Sequence, residues 1–308
     1  MRPLFQWLCV AAVAAAPGLL SARDSVAVAE TETITVKMLH VNGKLNVNTV
    51  DIARGVPFLR VLVNGISVCG TIDTGSDRTV VDLEFARTQG FDVIETKGIG
   101  LTNSNAIQIS SVPNVPVEVP GQFSFVAEVV GIDLPEYECP DAGDLKFILG
   151  MDILQGFAIV IDPKRQMIAF AKSGNIKGRG DQWMRIDWTD GLVTGRINGH
   201  PARLRVDTGS AFLALVPENR FHDWFPGRAL EELPPSTDAA GRQEKNVGIR
   251  LGVVEVGEVV ATHEIARVSA TEGPADGNLG FPFFMTTTTI FDGGQSVIFM
   301  KKPKPADD

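Results

Sequence analysis

The chain has 308 residues, 44% of them hydrophobic and 21% charged, proportions of a protein with a buried core and not of a disordered one. At roughly 100 to 200 residues per domain, this length predicts two packed units. A formal net charge of -9 and a pI near 5.0 leave no broad basic surface, so no nucleic-acid partner is expected.

Composition also bears on fold class. Thirty-one glycines and 18 prolines make long helices scarce and favour short strands joined by turns. The expected architecture is all-β with few short helices.

In chain order, residues 1–29 read as an export signal. Arg2 precedes an uncharged stretch from Pro3 to Ser21, and Ala27-Val28-Ala29 supplies the small residues that a signal peptidase accepts. The apolar run is broken by Pro17-Gly18 and is shorter than the roughly 20 residues that span a bilayer, so cleavage is expected over an uncleaved membrane anchor. The expected location is therefore periplasmic or secreted. Cys9 leaves with the signal, and Cys69 and Cys139 remain, either as one disulfide or as two buried thiols.

The central feature is an internal repeat. Val61 to Ser76 reads VLVNGISVCGTIDTGS and Gly195 to Ser210 reads GRINGHPARLRVDTGS, with Asn-Gly and Asp-Thr-Gly-Ser in one register. A second match pairs Phe147 to Phe170 with Gly277 to Met300, where Leu279-Gly280 repeats Ile148-Leu149-Gly150 with less fidelity. Two matches in the same order imply a duplicated unit: an Asn-Gly hairpin, a strand ending in the acidic motif, further β structure, an apolar-Leu-Gly strand and a final hairpin. Residues 30–172 form the first expected lobe, 173–190 a connector, 191–300 the second lobe and 301–308 a polar tail. Helices are expected at Asp82 to Gln89, Asp152 to Gln155 and Glu218 to Trp224. Thr286 to Thr289 read as strand residues.

Asp73 and Asp207 each stand where an apolar strand meets a tight turn, a costly position for a charge unless N–H and hydroxyl groups satisfy it. Gly75 and Gly209 let the backbone approach closely. If pseudo-symmetry brings the copies together, the two carboxyl groups cannot both ionise and must share a proton. Such a pair can take a proton from water attacking a peptide carbonyl and donate one to the developing oxyanion. One D-T-G-[ST] tetrapeptide is by itself weak evidence, since it can arise by chance. Two copies in matched flanks are far more specific.

Over residues 56 to 300 the two halves resemble the aspartic proteases of the retropepsin and pepsin superfamily, and the first half is closest to the retroviral lobe. The resemblance implies two pseudo-symmetric retropepsin-like β-barrel lobes in one chain. Asp73 and Asp207 would then be the catalytic dyad and Thr74 and Thr208 would hydrogen-bond across the lobes, with Gly75 and Gly209 permitting close approach. Ser76 and Ser210 fall where the family uses Ser, Thr or Ala to tune its carboxylates; a hydroxyl donating to a carboxylate lowers its pKa, so a more acidic working range is expected than alanine would give. A flap is expected between the acidic loop and the Ile-Leu-Gly strand, with Gly98, Ile99, Gly100 and Leu101 as the candidate, and Asp238 to Glu244 as the weaker equivalent in the second lobe. The single tyrosine, Tyr137, lies far past that region, so a pepsin-like flap is not expected. Met151 stands where retroviral enzymes place the arginine that pairs with the aspartate at Asp77, leaving that ion pair in question, and Ala211 occupies the Asp77 position of the second lobe.

Other chemistries fit less well. Paired Asp-x-Gly loops occur in actin-like ATPases and sugar kinases, but those need long helices in α/β layers. The four histidines His40, His200, His222 and His263 lack zinc-site spacing, and no G-x-S-x-G elbow, phosphate loop or C-x-x-C pair occurs. Trp183, Trp188 and Trp224 read as packing residues before a ligand platform. The expected function is an exported aspartic endopeptidase, of the kind found in the bacterial periplasm, with no metal or organic cofactor. It would be monomeric with an intramolecular dyad, and its partner would be a polypeptide substrate, with the periplasmic segment of a membrane protein as the narrower candidate. The alternative is a non-catalytic peptide-binding module on the same duplicated fold.

Overall fold

The computed structural model describes residues 34–39, 45–52, 55–102, 105–134, 136–139, 143–237, 243–269, 271 and 274–302. The export-signal reading of residues 1–29 lies outside these residues, as do His40 and the tail beyond Lys302. Among the described residues no helix is long and apolar enough to cross a membrane.

The protein is all-β, with two closed six-stranded barrels and few short helices. Each barrel begins with an Asn-Gly hairpin. Asn64-Gly65 joins Phe58–Val63 to Ile66–Ile72, and Asn198-Gly199 joins Leu192–Ile197 to His200–Asp207. All four turn residues have φ between 49° and 81°, the left-handed values that make Asn-Gly the preferred pair for a two-residue hairpin.

From these hairpins the two barrels close by the same path. In the first, Ile66–Ile72 runs parallel to Gly143–Leu149, which pairs antiparallel with Val80–Asp82, itself parallel to Phe123–Ile132. Asn105–Val119 then pairs antiparallel with Phe123–Ile132 and with Phe58–Val63, closing the ring. In the second, His200–Asp207 runs parallel to Gly277–Gly280, which pairs antiparallel with Ala214–Pro217, itself parallel to Val259–Val268. Val247–Val256 closes the ring against Val259–Val268 and Leu192–Ile197, both antiparallel. The duplication seen in sequence is thus a duplication of topology.

A six-stranded antiparallel sheet joins the barrels, in the order Trp183–Asp187, Val297–Lys301, Thr289–Asp292, Phe157–Asp162, Met167–Lys172, Asn48–Thr49. Its centre is the pairing of Ile159 with Phe291 and Val160 with Ile290, one strand from each repeat. Each repeat's hairpin turns through a short 3₁₀ segment, Pro163–Arg165 or Gly293–Gln295, capped by the side chain of Asp162 or Asp292. The expected connector supplies the edge strand Trp183–Asp187 to this sheet.

The apolar residues of both barrels and the shared sheet merge into one core cluster, from Val61 and Phe123 through Phe157 and Phe170 to Phe283, Phe291 and Met300. Burying one such aromatic side chain stabilises by about 1.5–3 kcal/mol. Trp188 and Trp224 belong to this core and Trp183 packs on a satellite cluster, so all three are packing residues. Tyr137 is buried and stacks on Phe58 at 4.9 Å.

Helices form at Leu83–Thr88, Met151–Leu154, Glu218–Trp224 and Phe281–Phe284. Asp82 caps the first, its carboxylate accepting from Phe85 N at 2.9 Å. The threonine run is only partly strand. Thr289 opens Thr289–Asp292, while the Thr286 hydroxyl donates to Phe283 O at 2.8 Å and so satisfies a helix-end carbonyl.

Candidate active site

Both Asp-Thr-Gly-Ser segments leave their barrels at the same place, between two parallel strands. Asp73 N donates to Leu149 O at 2.9 Å, and in the second barrel Asp207 is in register with Gly280. Each loop then returns to the apolar-Leu-Gly strand: Met151 N donates to Ser76 O at 2.8 Å and Phe281 N to Ser210 O at 2.9 Å. The strand glycines are fixed by this crossing, because a Cβ on Gly150 would strike the Arg78 carbonyl and one on Gly280 the Phe212 carbonyl.

Between the loops, the two threonines lock the barrels together. Thr74 N donates to Thr208 Oγ1 at 3.0 Å and Thr208 N to Thr74 Oγ1 at 3.1 Å. Each hydroxyl donates onward across the boundary, Thr74 Oγ1 to Val206 O at 3.0 Å and Thr208 Oγ1 to Ile72 O at 2.8 Å. The four bonds satisfy every polar group of the two buried threonine side chains.

This lock brings the aspartates together. Asp73 and Asp207 are 1% and 2% exposed, so neither carboxyl group is solvated in the ordinary way. A Cβ on Gly75 would lie 2.7 Å from Asp207 Cγ, and one on Gly209 would lie 2.5 Å from Asp73 Cγ. Each glycine therefore makes room for the opposite carboxyl group. Asp73 Oδ1 accepts from Gly75 N at 2.8 Å, and Asp207 Oδ2 accepts from Asn278 Nδ2 at 3.3 Å. Burial, and then the charge of Asp207, push the Asp73 carboxyl well above the usual carboxylate range, and a hydrogen bond between the two carboxyl groups acts in the same direction. Such a bond needs a proton on one partner, so the pair can hold one acid and one base side by side.

Ser76 acts differently from expectation. Ser76 Oγ donates to Arg78 O at 2.7 Å, so it braces its own loop and not the carboxylate. With its hydroxyl committed there, burial and the paired charge govern Asp73, and the carboxyl moves up instead of down. Ser210 is buried in the equivalent position of the second loop.

Three residues outside the motifs complete the site. Arg205, two positions before Asp207, reaches across the boundary to Gly75 O at 3.1 Å and Asp77 Oδ1 at 3.2 Å. It supplies from the opposite lobe the cation that Met151 cannot. Asp152 holds the first loop by accepting from Thr79 N at 3.0 Å and Thr79 Oγ1 at 2.7 Å, and it pairs with Arg78 at 3.4 Å. Asn278 is the third. A sign of Arg205 was present in the sequence, where RLRVD sets an arginine two residues before the aspartate at the buried end of its strand, but its target lay in the other half. Ala211, at the Asp77 position of the second lobe, is buried in an apolar cluster with Val56, Phe58, Val80 and Ile148 of the first.

Gly98, Ile99, Gly100 and Leu101 lie on Ile94–Thr102, which pairs with Asn105–Val119 in a hairpin whose tip, 103–104, and whose side chains over 97–106 are outside the described residues. At the base of this hairpin, Ile107 and Ile109 pack on the cluster of Val80, Ile132 and Ile148 beside the aspartate loop. In the second lobe, Ser236–Thr237 pairs with Gln243–Glu244, and 238–242 are outside the described residues. Cys69, on the strand leading to Asp73, is disulfide-bonded to Cys139. Among the described residues no three His, Cys, Asp or Glu side chains gather as a metal site would require.

No protein-family model matches this chain, and a search of curated proteins finds no significant match.

Proposed function

We propose that the protein is an aspartic endopeptidase of the retropepsin and pepsin superfamily, exported to an oxidising compartment, with Asp73 and Asp207 as the catalytic pair. The observation that carries this reading is the mutual approach of two buried carboxyl groups, each admitted by the other loop's glycine and held by the crossed threonines. A water held between them would lose a proton to the ionised carboxylate as its oxygen attacks a peptide carbonyl, while the protonated partner gives its proton to the carbonyl oxygen. As the resulting diol collapses and its C–N bond breaks, the carboxyl group that took the proton of water would pass it to the amine leaving group, and the other would take a proton from one hydroxyl, which restores the starting pair. Ile107 and Ile109, on the hairpin of Ile94–Thr102 with Asn105–Val119, pack on the cluster beside the first aspartate loop, which supports reading this hairpin as a flap over an extended peptide. The Cys69–Cys139 disulfide favours an oxidising compartment. A flexible segment of an exported or membrane protein is the substrate class we infer.

The test is cleavage of an unbiased peptide library by the purified protein between about pH 3 and 7, beside Asp207→Asn. Cleavage between apolar residues with a bell-shaped pH profile is expected, abolished by the substitution and untouched by chelators. Full activity in Asp207→Asn would remove the shared pair from the mechanism. Folded protein that binds peptides without cleaving them at any pH would favour the non-catalytic binding module.

A further inference from the structure

The two barrels follow one topology, yet their aspartates sit in unequal surroundings. The aligned strands Ile148-Leu149-Gly150 and Asn278-Leu279-Gly280 differ where the first residue flanks the site. Ile148 is fully buried in the apolar cluster of the first lobe, whereas Asn278, 8% exposed, donates from Nδ2 to Asp207 Oδ2 at 3.3 Å. Asn278 Oδ1 is buried with no hydrogen-bond donor among the described residues. Turning the amide over would leave both N–H donors buried without an acceptor in place of one carbonyl oxygen, and it would require the proton to be on Asp207. The observed orientation is therefore the less costly one.

We propose that Asn278 is a positioning residue that holds Asp207 as the ionised member of the pair and leaves the shared proton on Asp73. This rests on the peptidase reading above and adds the direction of proton flow. Asp207 would take the proton of the attacking water, and Asp73 would give its own to the carbonyl oxygen. Among the described residues, the charged groups that act on Asp73 are Asp207, which opposes its ionisation, and Arg205, which favours it. Arg205 is committed to Asp77 and to the Gly75 carbonyl, so much of its charge is balanced locally. Burial and the neighbouring carboxylate outweigh it at Asp73.

The experiment is a titration of the folded protein labelled with ¹³C at the aspartate carboxyl carbons, with the two signals assigned through Asp73→Asn and Asp207→Asn. In the range where the pair holds one proton, Asp207 is expected at the ionised shift and Asp73 at the protonated one. Asn278→Ile, which installs the first lobe's residue, is expected to narrow that difference and to move the acid limb of kcat/KM upward by about one pH unit, while Asn278→Ser, which keeps a donor, moves it less. An ionised Asp73 beside a protonated Asp207 in the unsubstituted protein would overturn the proposal, with no variant needed. So would a uniform fall in kcat with unmoved limbs and carboxyl signals in Asn278→Ile. The carboxyl titration does not depend on turnover, so failure of the peptidase reading would appear separately, as the expected split of the two signals in a protein that cleaves nothing.

Discussion

At the scale of single residues, the site depends on what is absent as much as on what is present. Gly75 and Gly209 lack the Cβ atoms that would occupy the space of the opposing carboxyl groups. Asp73 and Asp207 are therefore close enough that burial and mutual repulsion govern them more than any hydroxyl does. The sign of the pH dependence follows. The folded pKa of Asp73 is raised above its unfolded value of about 4, so its contribution to stability is full below that pH and is lost as pH rises through the folded pKa. Asp73→Asn cannot ionise, so its melting temperature should exceed that of the unsubstituted protein by a few degrees at pH 7 and match it near pH 3.5. Thermal unfolding across that range checks this, and a difference constant with pH would refute it. The cross-lobe bonds of Thr74 and the close approach at Gly75 were readable from the motif and its family resemblance, but the fate of the Ser76 hydroxyl was not. A serine can donate to a carboxylate or to a backbone carbonyl, and only the loop's return path set Arg78 O within reach.

At the scale of elements, short crossings between the loops add to the shared sheet in joining the two barrels. The pair of parallel strands in each repeat positions the acidic loop, and Arg205 then reaches from the end of His200–Asp207 to the loop of the other barrel. Asp77 is half exposed, so the ion pair itself is worth at most about 1 kcal/mol. A double-mutant cycle with Arg205→Met and Asp77→Asn should give a coupling of about 0.5–1 kcal/mol in unfolding free energy, shrinking with added salt. Strict additivity would mean that the guanidinium acts through the Gly75 carbonyl alone. The hairpins, the helix Glu218–Trp224 and the alternating strands were legible because Asn-Gly turns and apolar periodicity are local signals. Arg205 and Asn278 were not, because their partners lie 128 and 71 residues away.

At the scale of the whole molecule, the shared sheet makes the two repeats one structure, with Phe157–Asp162 and Thr289–Asp292 paired at its centre. The first barrel carries an additional closure, the bond between Cys69 and Cys139 across a separation of 70 residues. In the loop-entropy account a bridge of that span contributes about 4 kcal/mol. The variant with both cysteines changed to alanine should therefore melt roughly 10 °C lower, as read by thermal unfolding. An unchanged melting temperature would mean that packing of Leu134 and Tyr137 already holds that segment without the bridge.

The duplication, the all-β class and the two acidic loops were determined by the sequence itself, because hairpin turns, strand periodicity and a repeated motif are written in residues close together along the chain. Only the tertiary structure decided which groups face the aspartates. Whether a carboxyl group keeps its proton depends on solvent exclusion and on nearby charges and donors, and those come from Asn278, Arg205 and the opposite loop, which chain closure alone brings together.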